Sequence, residues 1–404
     1  MADVDRPSAA QRPLAPARFE PLFFLLAALT GFAPLTTDIY VPAMPAMQQA
    51  FATSAAAVQL TLSTYFVGYA LGQLFYGPVA DHFGRKPPLY VGMALFIVAS
   101  VACGLAPTVG WIAGARFIQA IGACAGSVIA RAVVADLFEA QQAARVFAML
   151  TMVMGVAPIV APSAGAYLLA WFGWEAIFWA LAAFGVACLV LSWLKLPETL
   201  NADHVAPLAL GDALKRYVEI ATDRRFLGYC LPGAFGMGGM FAYIAGSAFV
   251  FIGHYHFTAT GYGLLFGLNS CGIICGAQVN RFLLRRYRAE TLLRRALMVQ
   301  LGVALILLGA ALSGPTRAAV IAVPLWCYLA TIGFVFPNAM AMAMSAFRHR
   351  AGSASATLGA IQSALASLTA IIVGAIGSAT VVPMALVIAG YGVLAVAASR
   401  WIDA

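Results

Sequence analysis

The sequence has few charged residues, and this scarcity excludes most soluble folds. Only 9% of the 404 residues are Asp, Glu, Lys or Arg, whereas 63% are hydrophobic. A soluble globular domain carries about 25% charged residues, so this chain lacks the side chains that would cover a water-facing surface. Its mean hydropathy of +0.90 is typical of a surface that faces lipid. The composition therefore predicts an all-α integral membrane protein.

The sequence also lacks the residue clusters that metal binding and catalysis require. Its seven cysteines fall within apolar runs without a Cys-x-x-Cys pair, so we expect packing residues and neither a metal site nor a cofactor. The one close histidine pair, His254 and His256, has no acid beside it. An integral membrane enzyme acting on lipid would need clustered acids and histidines. We therefore predict that the protein is not an enzyme.

Twelve apolar stretches are each long enough to cross a bilayer, which takes about 20 residues. They lie at about 21–45, 56–80, 88–106, 110–135, 145–170, 174–195, 226–252, 261–283, 291–313, 318–346, 353–377 and 380–400. We expect a tail over 1–20, one six-helix bundle over 21–195, a linker over 196–225 and a second bundle over 226–404.

The basic residues predict the orientation of these spans. All but two of the 23 lysines and arginines are assigned to loops on one side, the exceptions being Arg317 in an outer loop and Arg116 inside a span. By the positive-inside rule, both termini face the cytoplasm. Although the net charge is +8, cations in short loops report topology, so we expect no nucleic-acid partner.

Two further patterns concern the halves of the chain. Within the linker, apolar residues at helical spacing between 210 and 221 predict an amphipathic helix that lies along the membrane surface. A faint repeat relates Gly77, Asp81 and Phe83 to Gly276, Asn280 and Phe282, 199 residues later. Duplicated halves are common in transporters, so we expect the two bundles to be pseudo-symmetric.

Two ionisable residues are expected well inside a span. Asp38 and Arg116 are each six or seven residues from the outer end of their spans, so at 1.5 Å per residue both lie roughly 10 Å below the outer surface. A charge in the membrane is costly, and a shared polar cavity would accommodate both. Asp38 is then a carboxylate that gains and loses a proton, or half of a structural ion pair with Arg116. For Arg116, a structural or coupling role and substrate contact both remain open.

Three segments carry a family resemblance. Residues 35–45 read LTTDIYVPAMP, residues 72–86 read GQLFYGPVADHFGRK, and residues 116–122 read RFIQAIG. They resemble the major facilitator superfamily, and within it the bicyclomycin-resistance (Bcr/CflA) branch of bacterial drug–proton antiporters. In that family the arginine of the third segment is tied to proton coupling, which the resemblance implies for Arg116.

The second segment matches the superfamily's cytoplasmic loop motif at Gly77, Asp81, Gly84, Arg85 and Lys86. Its glycines permit close approach and a tight turn, and its acid and arginine are four residues apart and suited to pairing. The resemblance implies that the acid also meets the N-terminus of span 11, near residue 353, and so latches the cytoplasmic side. The alternative is a solvated turn.

A fourth segment, GVAPIVAPSAG over residues 155–165, resembles the family's antiporter motif in span 5. Gly155, Pro158, Pro162 and Gly165 match it, although an alanine stands at position 161, where glycine is common. Small residues let helices approach closely and the prolines remove backbone donors. The segment either seals the cavity against proton leak or is a plain packing interface.

Aromatic and polar side chains in the spans that line the cavity of this fold suit a moderately apolar, drug-sized molecule. They are Tyr40, Tyr65, Tyr69, Gln119, Phe241, Tyr243 and Phe251. The resemblance implies proton-coupled efflux of small amphipathic compounds, such as antibiotics, across the bacterial inner membrane by a monomer in contact with lipid. The alternative is a proton-linked uptake symporter or facilitator for a small metabolite on the same fold.

Overall fold

The protein is described by a computed structural model over residues 16–200, 207–208, 210–345, 347, 350–377 and 380–400. These residues form fourteen α-helices and no strand, in agreement with the predicted all-α class. The first half comprises α1 (Pro16–Asp38), α2 (Met44–Ala50), α3 (Ala55–Phe83), α4 (Lys86–Gly104), α5 (Val109–Leu137), α6 (Ala140–Phe172) and α7 (Glu175–Lys195). The linker holds α8 (Leu210–Thr222), and the second half comprises α9 (Arg224–Ala248), α10 (Ala259–Leu283), α11 (Ala289–Leu312), α12 (Ala319–Ser345), α13 (Ala351–Ile376) and α14 (Val382–Ser399). Most of the predicted tail, residues 1–15, lies outside the described residues.

The two halves have the same internal packing. In the first half α3 and α4 both pack on α5, α4 packs on α7, and α1 packs on α6. The second half repeats these pairs as α10 and α11 on α12, α11 on α14, and α9 on α13. The halves then meet through α3 against α13 and α6 against α10. The chain therefore folds as two six-helix bundles with equivalent helix pairing.

Eleven helices in the described residues are long and apolar enough to cross a membrane. The twelfth long helix, α3, has 29 residues but is not among them. Its buried face carries Gln59, Thr61, Ser63 and Gln73, which lower its hydropathy. Gln59 and Ser63 bond to the second bundle, and Thr61 bonds to Tyr40 of the first half. These buried polar contacts explain why a helix of lower hydropathy sits among the spans.

The first span breaks immediately after Asp38, earlier than the sequence pattern predicted. Proline at position 42 has no N–H to donate to the carbonyl of residue 38, and its ring would clash with that carbonyl in a continuous helix. A 3₁₀ turn, Val41–Ala43, and the short α2 follow the break. Asp38 is therefore the last residue of a helix that ends inside the protein.

Several other helix boundaries follow from capping residues. Ser54, Thr108 and Thr258 each accept a hydrogen bond from the backbone N–H three residues later, at the starts of α3, α5 and α10. At the end of α3, Gly84 has φ +89°, a conformation that glycine adopts without a steric penalty. The short turn between α3 and α4 depends on this glycine.

The linker helix α8 packs between the bundles at the end of the molecule where α1 begins and α14 ends. This end is called the terminal side below. It contacts α13, α3 and α9, and it buries Ala213, Tyr217 and Ile220 against them. Leu214 and Val218 on its other face are more than half exposed. The helix therefore has one face that joins the bundles and one apolar face left uncovered.

A buried amide pair in the second half stands where the first half has charged residues. Asn338 of α12 donates from Nδ2 to Oδ1 of Asn280 on α10, at 2.8 Å. Asn280 corresponds to Asp81 in the sequence repeat, and Asp81 belongs to a cluster that joins the equivalent helices α3 and α5. The two halves thus tie the same helix pair together, one with amides and the other with ions.

We expect Asn338→Ala to destabilise the protein because it leaves the Asn280 amide buried without its partner. An unsatisfied buried polar group costs about 1–3 kcal/mol, whereas replacing both partners by apolar groups is nearly neutral. The thermal unfolding midpoint in detergent should therefore fall for the single variant and largely recover in Asn280→Leu/Asn338→Leu. Equal losses in both variants would contradict this role of the pair.

Candidate functional site

A cavity of about 350 Å³ lies between the two bundles. Its walls come from α1, α3, α5 and α6 on one side and from α9, α10, α12 and α13 on the other. Binding sites for drug-sized molecules typically measure 300–1,000 Å³. A site that both bundles complete changes shape whenever the bundles move relative to each other.

The two bundles are joined by hydrogen bonds on the side of the cavity away from the chain termini. Gln59 of α3 donates to the carbonyl of Ala245 in α9 at 2.8 Å. One turn further along α3, the Ser63 and Ser367 hydroxyls lie 2.7 Å apart. The cavity reaches the other way, to Arg131 near the end of α5 and Ser355 in the second turn of α13. The end of the cavity away from the termini is thus closed by these hydrogen bonds, and the opposite end approaches the terminal side.

Asp38 lines this cavity from the broken end of α1. Its side chain is 4% exposed, and Oδ1 accepts a hydrogen bond from the Thr37 hydroxyl at 3.2 Å. No lysine or arginine in the described part of the chain forms an ion pair with it. A negative charge at a helix C-terminus is unfavourable, and burial adds to that cost.

Tyr243 of the second bundle lines the same cavity as Asp38 and belongs to a group of buried polar side chains. Tyr243 accepts a hydrogen bond from Asn269 Nδ2 at 3.0 Å, and the Ser247 and Tyr262 hydroxyls lie 2.7 Å apart. The Asn269 side-chain carbonyl oxygen is buried without a hydrogen-bond partner among the described residues. Of these residues, the sequence analysis identified Tyr243 alone.

Arg116 does not share the cavity with Asp38, which corrects the expectation from span depth. Its guanidinium is fully buried between the rings of Tyr40 and Tyr65, 4.6 and 4.3 Å from their centroids. Nη1 donates to the Thr36 carbonyl at 3.2 Å and to Gln119 at 2.8 Å. Carbonyls in the last turn of a helix lack intrahelical partners, so Arg116 caps the end of α1 two residues from Asp38.

Four of the seven residues predicted to line the cavity do so, namely Tyr65, Tyr69, Phe241 and Tyr243. Tyr40 and Gln119 are instead part of the Arg116 cluster, in which Gln119 donates to Ser100 Oγ at 2.7 Å. Phe251 lies beyond the end of α9, in a π-helical turn, and packs on Tyr255, Phe257 and Tyr262. Aromatic content alone does not distinguish a cavity wall from such packing.

A second charged residue lines the cavity, and the loop assignment missed it. Arg131 lies within α5, six residues before the helix ends, and not in the following loop. Its Nε donates to the Ser127 carbonyl at 3.1 Å, and it has no carboxylate partner among the described residues. Its spacing of fifteen residues from Arg116 in one apolar segment is the signal that could have identified it.

The antiporter-like segment of α6 packs tightly at two places. A Cβ at Gly165 would clash with the carbonyl oxygen of Ile39, so this glycine allows α6 to touch the backbone that follows Asp38. The Pro158 carbonyl accepts a hydrogen bond from Ser270 of α10 at 3.2 Å, and Gly263 of α10 lies against the Pro162 carbonyl. At Gly155 a Cβ would meet nothing closer than 3.9 Å. The segment thus joins the Asp38 end of α1 to the second bundle.

The loop motif forms an ionic cluster around Arg85. The Arg85 guanidinium binds Asp81 at 2.6 Å through Nη1 and Asp136 of α5 at 2.8 Å through Nε. Burial lowers the pKa of Arg85, but its hydrogen bonds to Asp136 and Asp81 outweigh burial and hold that pKa above its usual value. The predicted pairing of Asp81 with Arg85 is therefore present, and Asp136 is an additional partner.

The start of the linker is attached to the same cluster. Glu198 accepts hydrogen bonds from the backbone N–H groups of Arg85 and Lys86, at 2.9 and 3.1 Å, where α4 begins. Thr199 donates its hydroxyl hydrogen to Asp136 at 2.8 Å. Burial raises the pKa of Glu198, but these N–H groups, with those of residues 199 and 200, lower it below its usual value overall.

Two parts of the expected latch are not formed in this structure. Among the described residues Asp81 has no hydrogen bond to the start of α13, and Tyr217 of α8 lies near it instead. No helix approaches closely at Gly77, because a Cβ there would be 3.8 Å from the Tyr217 hydroxyl, which is an ordinary contact distance. The linker helix α8 therefore occupies the position beside the motif that α13 was expected to hold.

Comparison with known proteins agrees with this architecture. The family model of the Major Facilitator Superfamily matches residues 26–371. The chain is 37% identical to the MFS-type transporter YdgK of Bacillus subtilis, over 90% of each chain, and 29% identical to a bicyclomycin resistance protein homolog of Haemophilus influenzae, over 89% of this chain and 90% of the relative. A bacterial homolog of the human lysosomal transporter Spinster, solved in an inward-facing, occupied conformation, superposes with a TM-score of 0.75 at 15% identity, covering 96% of this chain and 97% of that one.

The two glycines of the antiporter-like segment should differ in their tolerance of substitution. Gly165→Ala places a methyl group against the Ile39 carbonyl, so we expect a lower thermal unfolding midpoint as α1 and α6 separate. Gly155→Ala, the matched control, makes only an ordinary contact with Ile274 and should keep or raise the midpoint, because alanine favours a helix interior over glycine. Equal decreases of the unfolding midpoint in the two variants would show that the contact with Ile39 does not determine the effect.

Glu198 should contribute stability that depends on pH. Because its folded-state pKa is lowered, the stabilisation is complete above the ordinary glutamate pKa of about 4.3 and is lost as the pH falls through the folded value. We expect the difference in unfolding midpoint between the native protein and Glu198→Gln to be constant near neutral pH and to shrink below about pH 4.3. Glu219→Gln, which removes an exposed partner of Arg350, is the control with little effect. A difference that does not change with pH would contradict the capping role.

Proposed function

The chain belongs to the Major Facilitator Superfamily and is a transporter rather than an enzyme, and on that premise we propose that it is a proton-coupled drug efflux antiporter. The proposal assigns proton exchange to Asp38, substrate binding to the cavity beside it, and export to an alternation between two arrangements of the bundles. Similarity to the bicyclomycin-resistance relative supports this branch of the superfamily.

The observation that carries the proposal is the isolation of the Asp38 carboxylate. It lines the cavity between the bundles, is almost wholly buried and has no described cationic partner. An ionisable group without a partner inside a membrane protein is a candidate for proton transfer. A permanent ion pair with Arg116, the structural alternative, is absent from the described residues.

In the proposed cycle, the arrangement closed around Gln59 and Ser63 receives substrate from the terminal side. Substrate binding favours loss of the Asp38 proton, and the bundles then rock about the cavity. Opening of the far side releases substrate, and a new proton on Asp38 favours the return. Both ligands need only bind the two arrangements with different affinity for the exchange to be coupled.

Arg116 has a positioning role in this scheme. It contacts the Thr36 carbonyl and the Tyr40 ring on α1 and the Tyr65 ring on α3. Since Tyr65 also lines the cavity, a substrate that moves this ring moves a neighbour of the guanidinium. The end of α1, and Asp38 with it, is thereby linked to the occupancy of the cavity.

The cavity and the relatives together indicate the substrate class. Aromatic and aliphatic side chains form most of the wall, with Asp38 and Arg131 as its charged members. Such a wall accepts amphipathic molecules of drug size. Relatives in Haemophilus influenzae and Escherichia coli are a bicyclomycin resistance protein homolog and a multidrug resistance protein, so antibiotics are the first compounds to test.

The distribution of basic residues supports a location in the bacterial inner membrane with both termini in the cytoplasm. The cluster around Arg85, the linker helix and the arginines between α10 and α11 would then all face the cytoplasm. In this orientation the described cavity receives substrate from inside the cell, as export requires. The proposal treats the monomer as the functional unit, because one chain contains both bundles.

We expect Asp38→Asn to abolish proton-driven transport without unfolding the protein. In inverted membrane vesicles that hold a pH gradient, adding bicyclomycin or chloramphenicol should dissipate the gradient for the native protein and leave it intact for the variant. The unfolding midpoint should stay level or rise, because the amide removes a costly buried charge. Asp212→Asn is the control, since that acid is exposed and paired only with Lys215.

The direction of flux separates export from the uptake alternative. Radiolabelled substrate should accumulate inside inverted vesicles against its gradient, whereas a symporter would lose substrate from them.

In the experiment with Asp38→Asn, continued dissipation of the pH gradient by the variant would show that another group carries the proton.

A further inference from the structure

The turn between α10 and α11 holds more positive charge than topology requires. Six arginines lie between residues 281 and 295, whereas the segments after α3 and after α12 carry two basic residues each. Two cations per loop already suffice to orient the neighbouring spans there. The remaining arginines have no role in the cavity, in the cluster around Arg85 or in contacts between the bundles.

Several of these arginines surround a surface cavity of about 470 Å³. It is lined by Arg288, Glu290, Thr291, Arg294 and Arg295. Arg294 pairs with Glu290 at 2.9 Å, whereas Arg288 and Arg295 have no carboxylate partner in the described residues. Arg295 lies over the ring of Tyr287, 5.6 Å from its centroid, which holds its guanidinium in place. Three arginines and one glutamate give the cavity a net charge of +2.

One face of α11 continues from this cavity along the whole helix. Thr291, Arg295 and then a series of apolar residues follow each other at helical spacing, and the large ones are about half to two-thirds exposed: Met298, Val299, Leu305, Ile306 and Leu312. Gly302 and Gly309 lie on the same face, and a Cβ at either would meet no atom within 4 Å. The face is thus an apolar strip with shallow gaps that ends at a cationic pocket.

We propose that this surface binds an anionic phospholipid. The phosphate lies between Arg288 and Arg295, beside the Thr291 hydroxyl, and one acyl chain runs along the strip past Gly302. An exposed apolar strip on a membrane-spanning helix faces lipid, so the arginines at its end lie at the level of the headgroups. Guanidinium groups bind phosphate oxygens with two parallel hydrogen bonds, and basic pockets between spans are typical sites for anionic headgroups.

The proposal is tested by lipid binding to the purified, delipidated protein, independently of transport. Native mass spectrometry should show palmitoyl-oleoyl phosphatidylglycerol bound more tightly than phosphatidylcholine with the same acyl chains. Arg288→Gln/Arg295→Gln should weaken phosphatidylglycerol binding by roughly thirtyfold, from the loss of two charges near the headgroup. Phosphatidylcholine binding should not change. The matched control is Arg224→Gln/Arg225→Gln, which removes two exposed arginines elsewhere and should leave both lipids unaffected.

Three results would overturn the proposal. The first is equal binding of the two lipids by the native protein, a comparison that needs no variant. The second is an equal loss of phosphatidylglycerol in the two double variants, which would show general attraction to the charged surface. The third is displacement of phosphatidylglycerol by millimolar glycerol 3-phosphate, which would assign the pocket to a soluble phosphate compound.

Discussion

The early end of α1 is the constraint on which the candidate site depends. Pro42 removes the hydrogen bond that would continue the helix, so its last turn leaves carbonyl groups without partners inside the protein. Arg116 supplies a donor to one of them, and Gly165 lets α6 touch the backbone just beyond the break. Asp38 is placed at the cavity wall by these contacts. In a continuous helix the Thr36 carbonyl would accept a hydrogen bond from the N–H of residue 40, and Arg116 would have no carbonyl there to bind.

The sequence predicted the architecture well because the architecture depends on hydrophobic length and loop charge. The all-α class, two six-helix bundles and the Asp81–Arg85 pair all follow from patterns local to one segment. The even number of spans held even though α3 is the one long helix in the described residues without a stretch apolar enough to count as a span, because the basic residues Arg85 and Lys86 follow it. These features require no knowledge of which helices touch.

The details of the site depend on tertiary contacts and were predicted less well. Equal depth suggested that Asp38 and Arg116 share one cavity, but depth does not specify the direction of a side chain around its helix. Tyr40 and Phe251 were expected in the cavity for their chemistry, but Tyr40 packs on Arg116 and Phe251 packs on Tyr255. Glu198 and Asp136 escaped notice because their partner Arg85 is 113 and 51 residues away in the sequence, respectively, a separation that no local pattern records.

The contrast between the ionic cluster of the first bundle and the amide pair of the second has a consequence for how the protein senses its medium. Salt screens exposed charges, over a distance of about 8 Å at physiological ionic strength, and acts much less on buried ones. Added salt therefore weakens the Asp81–Arg85 pair, whose acid is 54% exposed, more than the neutral, buried Asn280–Asn338 pair. A rise in ionic strength at that end of the protein would therefore weaken the ion pair of one bundle and leave the amide pair of the other unchanged. Osmotic stress would thus act on the two bundles unequally, although their helices are paired in the same way.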